Sequence, residues 1–260
     1  MRQLTSLAAY RDDDGNEVRS ETTIDNNISI VFRGSNNRIE VGPNARLDRL
    51  AVTFDCDNGT LLIGANRRVH GGNWVIRVGQ DATVAIGNNV STTNPCVISA
   101  VEGVTVRIGN DVMIASNVQI RADDGHPIFD VRSGLRVNPS RPITIGNHVW
   151  LGLGSSILAG SDIGDGTVVG LGAVVAGRLP NNCVAVGAPA RVIRRDIAWE
   201  RPHLSFVAPP YKPDASTVRK SERYWNLTVD MEVPQAVRTR LRTRLAVMLR
   251  RWRRTANDRR

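Results

Sequence analysis

Between Ile145 and Val175 an aliphatic residue returns every six positions: Ile145, Leu151, Ile157, Ile163, Val169 and Val175. Glycine follows many of them, as in Ile145-Gly146, Leu151-Gly152, Ile163-Gly164 and Val169-Gly170. A helix buries residues three and four apart, and a half-buried strand buries every second one. A strict period of six satisfies neither. It suits a solenoid in which each short strand forms one side of a triangular coil, with the aliphatic side chain pointing into a narrow prism. The small residue beside it is expected to let the backbone turn the corner. A single coil cannot bury its own core, so several must stack.

The same register runs upstream through Val78, Val84, Val90 and Cys96, then Ile108, Ile114 and Ile120. Glu102 falls on it, so it either turns out of the prism or marks a distorted coil. Farther back, from Ile24 through Ile28, Ile30, Val41, Leu47, Ile63, Val69 and Val75, the spacing slips. Asn26-Asn27 and Asn36-Asn37 punctuate it, and asparagine tolerates the left-handed angles of tight corners. Three regions follow: a polar leader or cap over 1–23, a solenoid over 24–195, and a C-terminal extension over 196–260.

Few aromatics and many glycines and aliphatics suit such a prism. The opening MRQLTSLAAYRDDDGN carries no sustained apolar run, so neither a signal peptide nor a membrane span is expected. Cys56, Cys96 and Cys183 are odd in number and widely spaced, as in a reduced, cytoplasmic chain without a zinc framework. Residues 1–200 hold 19 basic and 20 acidic side chains, and 201–260 hold 15 and 5. The positive surplus therefore belongs to the tail, and the body carries no nucleic-acid signature.

The repeat breaks after Ile120 and resumes at Ile145, leaving a loop over 121–142. Solenoid insertions leave from one face, often the binding face. In this loop Asp124-Gly125 is a turn former, and Pro127 drives His126 toward extended backbone. From the residues alone, His126 could be an ordinary surface histidine.

IGNHVWLGLGSSILAGSDIGDGTVVGLGAVV, followed by VAVGAPARVIRR, resembles the left-handed β-helix (hexapeptide-repeat) acyltransferases. Maltose and galactoside acetyltransferases are similar, and polysaccharide and capsule O-acetyltransferases more so. The resemblance implies an all-β fold of left-handed parallel coils with an extruded catalytic loop, a breach of the usual right-handed crossover. It also implies transfer of an acyl group, most simply acetyl from acetyl-CoA, to a saccharide hydroxyl of a polysaccharide or glycolipid. The family's D-x-H-x-I-x-D pattern matches Asp124, His126, Ile128 and Asp130, which makes His126 the expected general base. Neutral imidazole, titrating near about 6.5, can take the proton of a hydroxyl attacking a thioester. Glu102 and Asp130 are the candidates to hold its other nitrogen. Asn94 lies near the family's substrate-contacting asparagine.

By position, the coenzyme wall would include Trp150, Leu153, Leu171 and Ala176, with Arg191 and Arg194 at the phosphate end. One departure is Ala176-Gly177, where relatives often carry Thr-Lys; Arg178 follows. A coenzyme groove shared between subunits implies a homotrimer. γ-Class carbonic anhydrases share the solenoid but hold zinc through three histidines. His70, His148 and His203 stand at no ligand spacing from His126, so no metal is expected, and His148 is expected to be structural. The alternatives are an N-acetyltransferase acting on an amine, or a non-catalytic scaffold, which leaves the His126 loop unexplained. Finally, Val237, Leu241, Leu245, Met248 and Trp252 share one face of a basic amphipathic helix. It would pack on the body or lie on an anionic membrane, making 237–254 a peripheral membrane contact.

Overall fold

The computed structural model describes residues 1–21, 26–66, 71–204 and 218–230. The expected helix over 237–254, along with His70 and Val69, lies outside the described residues. Three sheets form the sides of a prism. Sheet A has eight strands, from Arg2–Leu4 to Val174–Val175; sheet B has nine, from Tyr10–Arg11 to Arg178–Leu179; sheet C has six, from Ser91–Thr92 to Arg191–Arg194. The chain visits them in turn, for example Gly72–Val78 in A, Thr83–Ile86 in B and Ser91–Thr92 in C. All pairings are parallel except those of the strands Arg2–Leu4, Tyr10–Arg11 and Arg191–Arg194. Equivalent core residues stack in register: Ile76, Ile98, Ile120, Ile157 and Val175 form one continuous buried row.

The strict six-residue spacing belongs to only part of the solenoid. Where Asn88 bonds to Asn110 a coil takes 22 residues; from Asn147 to Asp165 it takes 18, and from Thr167 to Cys183 it takes 16. The excess lies in sheets A and B, whose strands shorten from five residues in Cys96–Ala100 to two in Val174–Val175, and from four in Thr105–Ile108 to two in Asp162–Ile163. Glu102 therefore drops out of the core register. It takes a left-handed angle at the A/B corner, directly after the equivalent Asn58 and Asp81, and its side chain is exposed.

The glycines that directly follow the aliphatic residues serve a purpose other than the expected one, whereas Gly154, Gly160, Gly166 and Gly172 do take positive φ. At the B/C corner Gly109 and Gly146 keep negative φ, but a Cβ on Gly109 would lie 2.5 Å from the carbonyl oxygen of Gly146. Glycine is needed there for close approach of the next coil. Positive φ is carried two residues on, by Asn89, Asp111, His148 and Asn182, residue types that bear αL best after glycine.

Both ends of the solenoid extend past the sequence boundaries. Glu17–Ser20, inside the supposed leader, pairs in parallel with Arg38–Val41, and Arg2–Leu4 adds an antiparallel strand to Ile28–Phe32. Leu7 and Val18 are buried beneath this cap. After Arg194 the chain turns back along the B/C corner as a strap. His148, only 2% exposed, lies between the rings of Trp199 and Tyr224, whose centroids are 4.0 and 4.5 Å away. Its Nδ1 meets Asp111 at 2.6 Å and its Nε2 meets the Trp199 carbonyl at 2.9 Å. Arg201 reaches Asp111, Ser91 and two main-chain carbonyls. Burial would raise the Asp111 pKa, but His148 and Arg201 outweigh it and the net shift is downward. Among the described residues no helix is long and apolar enough to cross a membrane.

Trp199→Ala removes the stacked indole and its bond to the His148 carbonyl. It is expected to destabilise the protein by about 3 kcal/mol, read from the urea midpoint; an unchanged midpoint would show that the strap is dispensable.

Candidate active site

The extruded loop leaves sheet A after Gln119–Arg121 and rejoins sheet B at Ile143–Ile145. Its base is closed by a bond from the Arg141 amide to the Ala122 carbonyl, and its outer part is a small hairpin with Phe129 opposite Arg136. His126 stands at the root, on the A/B corner. There it lines a cleft of about 310 Å³ together with Cys56, Arg77, Asp123 and Arg136. The DGHP turn is held from two sides. Asp123, nearly buried, accepts from the Ser99 hydroxyl and the Gly125 amide. Asn138, across the loop, accepts from the Ile128 amide at 2.7 Å and donates to the His126 carbonyl and Asp124 at 2.9 Å each. The backbone on both sides of the imidazole is thus clamped while the ring faces the cleft.

The two carboxylates expected to orient that ring are committed elsewhere. Glu102 accepts from Arg136 at 2.6 Å and from the Ser140 amide at 3.0 Å, so it anchors the far limb of the loop. Asp130 accepts from the Arg132 and Ser133 amides and the Ser133 hydroxyl, closing the hairpin tip. The Ser133 bonds lead in lowering its pKa. Neither bonds to His126, whose ring makes no hydrogen bond among the described residues. Sequence reasoning missed Asn138 and Asp123. The one signal was an asparagine in a loop whose turn needed an amide partner.

The remaining candidates separate by face. Trp150 and Arg194 share one cross-strand row on sheet C, through Val168 and Val184. Three strand steps of about 4.8 Å put them about 14 Å apart. Both are exposed, as is Arg191 on the same edge strand. Leu153 and Leu171 are exposed at the C/A corner, directly after sheet C. Ala176 follows Val174–Val175 at the A/B corner, apart from the other three on the same chain. Asn94 also sits at the C/A corner, donating to Ser116 at 2.9 Å, and does not line the His126 cleft. Among the described residues, no three His, Cys, Asp or Glu side chains converge as metal ligands.

This geometry has known counterparts. No family model matches the chain. It is 37% identical over 124 residues to the polysialic acid O-acetyltransferase of Escherichia coli O1:K1, covering 48% of this chain and 38% of that protein. It is 46% identical over 100 residues to the galactoside O-acetyltransferase of E. coli K12, covering 37% of this chain and 47% of that one. The chain thus spans less than half the length of these two relatives. The crystal structure of the polysialic-acid-specific acetyltransferase NeuO superposes with a TM-score of 0.52 at 31% identity, covering 73% of this chain and 91% of that one. The chain belongs to the hexapeptide-repeat acetyltransferases, and its solenoid is their left-handed parallel β-helix.

The Arg136 and Ser140 bonds pull the Glu102 pKa down to about 2. A depressed carboxylate stabilises above its ordinary pKa, and the benefit is lost as pH falls through the folded value. The loop anchor should therefore survive acidification to about pH 3. Glu102→Gln should speed hydrogen exchange of the Ser140 amide about tenfold at neutral pH; equal rates in both proteins would show that Glu102 does not hold the loop.

Proposed function

We propose that this protein is an acetyl-CoA-dependent O-acetyltransferase acting on a saccharide hydroxyl, with His126 as general base. The observation that carries the reading is the clamped DGHP turn at the root of the one long insertion, which presents an imidazole in an open cleft. In the reaction the neutral imidazole takes the proton from the acceptor hydroxyl as that oxygen attacks the thioester carbonyl. The carbon–sulfur bond then breaks, and the proton returns from His126 to the leaving thiolate. The negative charge that develops on the thioester oxygen needs main-chain amide donors, which solenoid corners supply in quantity.

The residues present fit a coenzyme. The row from Trp150 to Arg194 offers an exposed indole, two valines and a guanidinium in line, suiting an extended thioester arm ending in phosphate. Arg191 adds a second cation on the same edge. The departure at Ala176-Gly177 is not on this row but at the A/B corner, the corner that also carries His126. His126 and the sheet C row, however, belong to different parts of one prism. Donor and base meet most simply between two copies of the chain, and a repeated head-to-tail contact of this kind closes into a ring. A homotrimer is the assembly this supports.

A mutational series tests the chemistry, with acetyl-CoA, a panel of saccharides and release of free thiol as the readout. His126→Ala should lower kcat by about two to four orders of magnitude, while Arg194→Ala should raise KM for the coenzyme with little change in kcat. Near-native turnover of His126→Ala would remove the assignment. Thiol release with amines alone would favour the N-acetyltransferase alternative, and none with any acceptor would favour a scaffold.

Assembly is tested by sedimentation. The 28.4 kDa chain should run as a trimer. A fully active monomer would contradict a groove shared between copies.

A further inference from the structure

The outer face of sheet A carries a second groove, of about 510 Å³, that has no part in the chemistry above. The in-register row Thr53, Arg77, Ser99, Arg121 runs across it, and Arg33 stands at its edge. It is continuous with the His126 cleft, because Asp55 and Arg77 line both. Its charge is unbalanced: three guanidinium groups face a single lining carboxylate, Asp55. That carboxylate pairs with Arg77, and with Arg33 at 3.6 Å. Arg77 leans further toward Asp123, at 3.7 Å.

Arg121 is the exception in this set. It has no salt-bridge partner among the described residues, and its Nε is buried without a hydrogen-bond partner. A buried N–H donor without an acceptor is costly, and a planar guanidinium is the group best shaped to bind an oxyanion in two-point fashion. Arg121 ends the strand that leads, through Asp123 and the DGHP turn, to His126. A ligand group held on Arg121 is therefore held in a groove that shares Asp55 and Arg77 with the His126 cleft.

We infer that this groove is the acceptor lane and that it takes an acidic saccharide, with Arg121 binding an oxyanion of the sugar chain while a neighbouring hydroxyl enters the His126 cleft. The inference rests on the acyl-transfer reading for the second half of that statement only. The oxyanion is a carboxylate on the sugar or a phosphate joining sugars. Arg77, already paired with Asp55, would set the wall of the lane, and Arg121 would supply the selectivity for charge.

Binding and turnover are measured separately so that the two readings fail separately. Calorimetry without coenzyme uses a sialic acid oligomer, its carboxyl-reduced form and a phosphodiester-linked oligosaccharide. At least one acidic probe should bind the native protein about tenfold or more tightly than the reduced form, and the stronger acidic probe identifies the oxyanion. Arg121→Gln should collapse that preference, with Arg121→Lys in between, while circular dichroism and sedimentation match the native protein. In thiol-release assays the same loss should appear in KM for the acidic acceptor rather than in kcat. Equal affinity for charged and reduced probes, or an unchanged preference in Arg121→Gln, would overturn the lane. So would loss of the oligomer in Arg121→Gln, which would assign the arginine to a contact between copies. Charge-dependent binding with no thiol release on any acceptor would leave the lane standing and remove the acyl-transfer reading.

Discussion

Everything in this protein depends on coils lying directly on one another, and the B/C corner shows what that demands. The Asn88 amide donates to the Asn110 side chain, the Asn110 amide to Asn147, and the Asn147 amide to Asp165, at 2.7 to 2.9 Å. Each corner would otherwise leave a main-chain donor unpaired between layers, a cost comparable to a lost hydrogen bond. The ladder can form only if successive corners superpose, so the same bonds that satisfy the amides also set the register. Glycine at 109 and 146 permits the approach, and aliphatic rows beneath bury the apolar surface that drives it.

A frame so closely specified can carry a long insertion without losing register. The loop begins and ends on residues already held by neighbouring coils, and a main-chain bond from Arg141 to Ala122 closes its base. Beyond that point the loop must supply its own order. Glu102 lends a carboxylate from the coil beneath it, Asn138 pairs the two limbs, and Asp130 closes the tip. None of these acts on the imidazole directly. Their common effect is to reduce the conformations open to residues 124–128, so that under the proposed reaction His126 would need little ordering on binding an acceptor.

The sequence made some of this legible and concealed the rest for physical reasons. Stacked isoleucines and valines show themselves because every coil needs them at the same place. His126 was singled out only by the family's D-x-H-x-I-x-D pattern, since a histidine between Gly125 and Pro127 in an exposed loop would by itself suit an ordinary surface position. Coil length stayed hidden because strands of sheets A and B can lengthen in a way that keeps inward-facing side chains inward while shifting the spacing; Glu102 looked like a core position for that reason. Asn138 stayed hidden because it lies twelve residues from His126 and only the loop's fold brings them together. The strap was equally unreadable, since Trp199 and Tyr224 gain a role only when the chain returns to His148.

The strap also decides between two histidines that the chemistry alone would rank the other way. His148 has the partner usually sought in a base, a carboxylate on Nδ1, and His126 has none. Yet Nε2 of His148 is engaged by the Trp199 carbonyl, both ring faces are covered, and almost no surface remains. A base must reach the proton it removes, and a ring sealed between two aromatics reaches nothing. The pairing with Asp111 therefore reads as structural, holding the C-terminal segment to the corner. His126 lacks such a partner, and under the proposed reaction it keeps what a base needs first, a ring beside an open cleft. Its ring orientation must then come from the clamped backbone, and from the acceptor once bound.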